Sequence, residues 1–172
     1  MIAAAFGLLI ALLSASSAAA AAPELPRAYV DTTYALPTGG VLRVANTGAE
    51  FQAAINAAQF GDIIELKAGT VYQGPFTLPN KTGAGWIYIR SSAYASLPAP
   101  GNRVSPAQAG LMAKIVSGSG SSAITAAAGA HHYRVIGIEA APPTNVFIDN
   151  LIMLGYGNEA TVAQQPHHII FD

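Results

Sequence analysis

The sequence predicts an all-β solenoid, in which the chain coils through short strands, stacks each turn on the last and opens with a short amphipathic helix. Three observations carry this. The strand candidates between Asp62 and Arg90 are short and are divided by Gly69, Gly74-Pro75 and Pro79-Asn80. That leaves no room for crossover helices between parallel strands and lacks the Asn-Gly signal of two-residue hairpins. A helix with its own start and stop signals stands directly before these strands. Finally, strong strand centres recur at Ile64, Tyr88, Ile115 and Ile136, with steps of 24, 27 and 21 residues, the spacing a solenoid turn gives.

The chain begins with an apolar run, Ile2 to Leu13, followed by Ser and Ala only from Ser14 to Ala22 and then Pro23. An apolar core followed by small residues ending Ala20-Ala21-Ala22 is the layout of a secretory signal peptide, which assigns 1–22 to export and the mature chain to the periplasm or the exterior. The basic residue that ordinarily precedes the apolar core is missing. The competing assignment is a retained anchor, since the uncharged stretch is long enough for the roughly 20 residues of a membrane span. Its Ala and Ser content drives insertion weakly. Residues 23–46 form a lead-in, with Tyr29-Val30 and Val41 to Val44 as strand candidates around Pro26, Pro37 and Gly39-Gly40.

Thr47-Gly48-Ala49-Glu50 fits a capping box, in which the Thr hydroxyl takes the third amide and the Glu reaches back. Phe51, Ala54, Ile55 and Ala58 then fall on one helical stripe, with Gln52, Asn56 and Gln59 on the other side. Gly61 suits the left-handed position after the helix. Ile63 to Leu66, Val71-Tyr72, Phe76 to Leu78 and Trp86 to Arg90 are the strands that follow.

The order helix, Gly61-Asp62-Ile63-Ile64-Glu65-Leu66-Lys67-Ala68-Gly69, Tyr72, Gly74, then Trp86 to Arg90, resembles the opening of right-handed parallel β-helix proteins of the pectin-lyase-like superfamily. The resemblance implies that the helix caps the first turn, whose apolar cross-section and unpaired strand edges need a cover. It spans 47–172, with its specific part in 47–92. It implies a secreted protein acting on polysaccharide, by lyase chemistry on uronic acids or by hydrolysis; the alternative is a non-catalytic adhesin or carbohydrate-binding β-helix, because the fold hosts both. Lyases of this superfamily use Ca²⁺ held by carboxylates with an Arg or Lys as base, so Ca²⁺ is the cofactor the resemblance would bring.

Beyond the first turn, 91–113 is a Pro- and Gly-rich loop on the order of 20 residues, a length that often marks function. Lys114 to Val116, Ala123 to Thr125, His131 to Glu139, Asn145 to Gly155 and His167 onward are the later strand candidates. The last run stops at Asp172 after three apolar residues without a closing cap, so 47–172 is expected to be the N-terminal part of a β-helix domain truncated at its C-terminus, with most catalytic residues in later turns.

Composition narrows the function. The net charge is -1 and no basic run occurs, which argues against nucleic acid as a partner and gives no attraction to anionic membranes. No cysteine is present, so disulfides, thiolate metal sites and thiol nucleophiles are excluded. Hydrophobic residues make up 52% of the chain against 10% charged, a balance incompatible with a disordered polyelectrolyte.

Candidate chemistry is sparse. Arg134, Glu139, Asp149 and Asp172 are the catalytic candidates; the three carboxylates lie near later strands, where two sharing a face permit acid and base work. Arg90, Tyr133, His132 and His168 are the substrate-binding candidates, through bidentate contacts to an acidic sugar or through ring stacking. Tyr72, Trp86 and Tyr88 are further ring candidates with packing as the ordinary role. Asp62 has a turn hydrogen bond as its expected role. No local cluster offers the six to eight oxygens that calcium takes, and no metal ligand is assigned. All the histidines occur as two pairs, His131-His132 and His167-His168, 36 residues apart. Neighbours in a strand point to opposite faces, so a pair alone does not chelate. Stacked pairs would align one His of each into a ladder or a weak metal site; the ordinary role is to cap a strand start.

Overall fold

The structure, a computed structural model, describes residues 35–99, 102–118 and 120–172. The expected signal peptide at 1–22, the strand candidate Tyr29-Val30 and the start of the lead-in lie outside the described residues. No helix among the described residues is long and apolar enough to cross a membrane.

The described chain is mostly strand. In order come β1 (Leu42–Ala45), the helix α1 (Gly48–Ala57), β2 (Ile63–Leu66), β3 (Val71–Gln73), β4 (Phe76–Leu78), β5 (Ile87–Ser91), β6 (Ala113–Val116), β7 (Ile124–Ala126), β8 (His131–Ile136), β9 (Ile138–Ala141), β10 (Ile152–Leu154) and β11 (His167–Phe171). They form three sheets, ordered β1-β2-β5-β8-β11, β3-β6-β9 and β4-β7-β10. Every pairing is parallel. From β2 onward the chain visits the five-stranded sheet, the β3 sheet and the β4 sheet in turn and then returns to the first, so consecutive strands never pair with one another.

Register stacks like on like. Ile64, Ile89, Val135 and Phe171 form one inward column of the five-stranded sheet. Tyr72, Ile115 and Ala140 form another in the β3 sheet. Phe76, Ile124 and Ile152 do so in the β4 sheet. Ile64, Leu66, Tyr72, Leu78, Ile87 and Ile115 are fully buried. Each Ile or Leu among them removed from water is worth about 1.5–3 kcal/mol.

The helix lies across the starting ends of all three sheets, touching β1 and β2, β3, and β4. Its expected stripe is the buried one, with Phe51, Ala54, Ile55 and Ala58 at 0–9% exposure. Phe51 packs edge-on to Tyr72 at 6.0 Å and against Phe76 at 4.6 Å. The Thr47 hydroxyl accepts from the Glu50 amide at 3.2 Å. Glu50 takes the Asn46 amide at 2.7 Å, one residue earlier than a strict capping box places it. Gln52 departs from its assignment to the solvent side. Its side-chain amide donates to the Thr77 carbonyl at 3.0 Å and accepts from the Thr77 amide at 2.8 Å. It thereby pairs the open edge of β4 as a neighbouring strand would.

Three strand expectations are corrected. His131 to Glu139 is two strands, because Gly137 adopts φ 63° and turns the chain from the five-stranded sheet into the β3 sheet. Asn145 to Gly155 is mostly loop, with only β10 extended. The regular steps through Ile115 mix sheets: Ile115 pairs with Tyr72 in the β3 sheet, while Tyr88 pairs with Arg134. True returns to the five-stranded sheet run Ile63, Tyr88, Arg134 and Ile170. The wide second return contains the long loop, which holds short 3-10 helices at Tyr94–Ser96 and Pro106–Leu111.

Candidate functional site

Where the chain enters successive strands of the five-stranded sheet, aromatic rings collect. Residues just ahead of β2 and β5 supply Phe60 and Trp86, and the starts of β8 and β11 supply His131-His132 and His167-His168. The pairing of His131 with His167 puts the two histidine pairs in register, so the repeat noticed in the sequence is a physical stack.

The geometry exceeds what strand alternation allows. His132 and His168 have φ of 58° and 52°. This left-handed conformation is uncommon outside glycine and is strained by roughly 1–3 kcal/mol. It interrupts the alternation of faces, so both rings of each pair project at the same corner. His131 stacks on His167 at 5.0 Å with planes 1° apart, and His132 stacks on His168 at 4.6 Å and 3°. Within each pair the rings are nearly perpendicular, with Nδ1 to Nδ1 distances of 2.7 Å and 2.6 Å. One nitrogen of each such contact carries the proton and the other accepts it.

The inner side of this corner is aromatic. Phe60 stacks on His131 at 5.3 Å, and Trp86 meets His132 edge-on at 5.0 Å. Gly85, with φ 110°, lies beside Phe60. His131 and His132 are half-buried, whereas His167 and His168 are exposed. Burial lowers the His132 pKa first, and the neighbouring His168, His131 and His167 lower it further. His167 is lowered in the same way by burial, His131 and His168. Both rings therefore favour the neutral form, in which imidazole binds metal.

One ring nitrogen from each of His132, His167 and His168 lies within 4.8 Å of the others. The sequence pointed to the pairs and their step. It gave no clear signal of the left-handed turn, because His, though enriched at positive φ among non-glycine residues, adopts it in only a minority of cases.

The other candidates are dispersed. Arg134 bonds Asp172 through Nε at 2.7 Å and Nη2 at 2.6 Å. Glu139 pairs with Lys114 at 2.9 Å on the β3 sheet. Asp149 is exposed in the loop before β10. Glu139, Asp149 and Asp172 thus lie on different elements: in β9, in the loop before β10 and just after β11. Arg90 donates to Glu65 from Nε at 3.1 Å and Nη2 at 2.8 Å, and its guanidinium rests 4.4 Å above the Tyr94 ring.

Tyr133, a substrate-binding candidate, is a core residue with no exposed surface, and its hydroxyl donates to the Pro79 carbonyl at 2.7 Å. Burial pushes its phenol well above the ordinary range. Its place in the inward column with Ile87 and Ile169 explains this. Tyr72 is likewise internal, and Tyr88 donates to the Ala35 carbonyl at 3.2 Å with little surface left. Of the Tyr and Trp candidates named in the sequence, Trp86 alone keeps an exposed part larger than a few per cent, and it belongs to the histidine corner. Glu159 holds the Tyr156 and Gly157 amides at 2.6 Å and 3.0 Å and serves its turn.

No known protein family, curated protein or solved structure matches the chain.

Proposed function

We propose that this chain is a right-handed parallel β-helix of the pectin-lyase-like kind, exported from the cytoplasm, and that it engages acidic polysaccharide. The observation that carries the fold is the cyclic visiting order: three parallel sheets entered in constant rotation, with α1 across their starting ends. Crossovers between parallel strands of one sheet are right-handed in about 98% of cases, which supports the hand. Export rests on the apolar and small-residue layout of 1–22.

The polysaccharide reading rests on the resemblance of 47–92 to that superfamily. One specific observation favours binding over cleavage by the described turns. Glu65, Glu139 and Asp172 each pair with a cation from a neighbouring strand, at 2.8 Å, 2.9 Å and 2.6 Å. Neutralised carboxylates on separate faces do not supply the acid and base pair that hydrolysis requires, nor the oxygen cage of calcium.

The test is electrophoresis of the protein through gels containing pectate, alginate or chondroitin sulfate, run alongside depolymerisation assays with and without Ca²⁺. Retardation by at least one polymer is expected. Release of unsaturated or reducing ends would assign cleavage instead, and neither retardation nor cleavage on all three would overturn the reading.

A further inference from the structure

We propose that His132, His167 and His168 bind one divalent first-row transition ion of the zinc, nickel or copper class. The donor set selects that class. Imidazole nitrogen suits these metals, whereas calcium and magnesium require oxygen. Three nitrogens converging from two adjacent strands, with further positions left to water or an incoming ligand, is the stoichiometry of an open zinc site.

Three features of the structure bring the nitrogens together independently of one another. The in-register pairing of β8 with β11 sets His131 opposite His167 and stacks the two pairs. The left-handed φ of His132 and of His168 turns the second ring of each pair toward the first. That strain occurs twice at equivalent places, and strain of this kind persists only where the surroundings enforce it. The Phe60 and Trp86 rings wall the inner side at 5.3 Å from His131 and 5.0 Å from His132, fixing ring orientation there. The exposed His167 and His168 leave the outer side open to solvent, as metal entry requires.

Binding needs the rings to move, since nitrogens spread over as much as 4.8 Å must close around the ion. Two nitrogens sharing a tetrahedral zinc at about 2.0–2.1 Å stand roughly 3.3 Å apart. The His167 and His168 Nδ1 atoms, at 2.6 Å, must separate by rotation of exposed rings. The metal then takes the place of the proton shared between them. His131 stacks on His167 and bonds His132, so its role is positioning.

The experiment uses the full chain without a polyhistidine tag. Zn²⁺, Ni²⁺ and, as control, Ca²⁺ are titrated by calorimetry, and Co²⁺ is followed by its visible ligand-field bands. One equivalent of Zn²⁺ or Ni²⁺ is expected to bind saturably, with no Ca²⁺ heat. Co²⁺ bands should respond to His167→Ala and His168→Ala, each of which weakens binding at least tenfold. Both residues are exposed, and unchanged urea unfolding of the variants shows that they fold. Asp149→Asn, in a loop outside the corner, should leave binding unchanged. Absence of saturable Zn²⁺ and Ni²⁺ binding by the wild type overturns the site, as does binding that survives both histidine substitutions. Because the polysaccharide assays use neither metal, this outcome stands apart from that of the proposed function.

Discussion

The Arg43 Nε donates to Asp62 Oδ2 at 2.9 Å, and that carboxylate also receives the Gln59 amide at 3.0 Å and, on Oδ1, the Val41 amide at 2.8 Å. One nearly buried side chain thus ties β1, the exit of α1 and β2 together. Replacing Asp62 with Ala strands two amides and a guanidinium. We expect a loss of about 2–3 kcal/mol, read as a lower urea midpoint. Burial pushes the Asp62 pKa up, but the Gln59 and Val41 amides and Arg43 outweigh it, so the net shift is downward. A depressed folded-state pKa adds stability above the unfolded value near 3.9 and loses it as pH falls through the folded value. Wild-type stability should therefore decline below about pH 4, and Asp62→Asn should flatten the decline in that window. An identical acid profile for the variant would remove Asp62 from the account.

Gln52 makes two hydrogen bonds to Thr77, at 3.0 Å and 2.8 Å, on the open edge of β4. Gln52→Ala should cost about 1–2 kcal/mol and expose an unpaired strand edge. The distinguishing readout is aggregation: the variant should gain light scattering on heating, whereas the neighbouring Ala53→Gln, at an exposed helix position, should not. Equal scattering would mean that the edge is protected by something other than Gln52.

Tyr72 separates packing from recognition. Its hydroxyl donates to the Ala45 carbonyl at 2.7 Å and accepts the Lys67 amide at 2.8 Å, within the core. Tyr72→Phe keeps the ring and leaves both backbone groups without this partner, so about 1–3 kcal/mol of stability should go. Polysaccharide retardation should be unchanged for the folded variant at low temperature. A specific loss of retardation with normal stability would return Tyr72 to the surface role considered from the sequence.

The helix, the first turn and the short strands were legible because each carries a local signal. Thr47 and Glu50 mark the start, Phe51, Ala54, Ile55 and Ala58 the buried stripe, and Gly69 and Pro79 the corners. The corner at Gly137 was missed because the apolar run continues through it, and strand periodicity does not distinguish a continuous strand from two that meet at a glycine. Sheet membership at Ile115 was not legible, because regular spacing along a chain with a long inserted loop does not determine which turn pairs with which. The histidine corner was half legible. Its register followed from the 36-residue step, whereas its convergence depends on left-handed backbone at His132 and His168, which tertiary packing imposes. Glu65, Glu139 and Asp172 pair with cations across the sheet, a relationship that residue type alone does not predict.

That left-handed backbone can be measured without any ligand. At a residue with φ of 58°, a Cβ costs about 1 kcal/mol relative to glycine, and His132 has that φ. His132→Ala and His132→Gly both delete the ring and its contacts with Trp86 and His168. They differ only in whether a Cβ remains. In an ordinary strand Gly is the worse residue by roughly 0.5–1 kcal/mol. Here the order should invert, with His132→Gly more stable than His132→Ala by about 1 kcal/mol in urea denaturation. The same inversion should hold at His168, with φ 52°. At His131, which precedes the left-handed position, Ala should be the better of the two. If Ala outperforms Gly at both His132 and His168, the backbone there is extended, the faces alternate, and the rings do not converge.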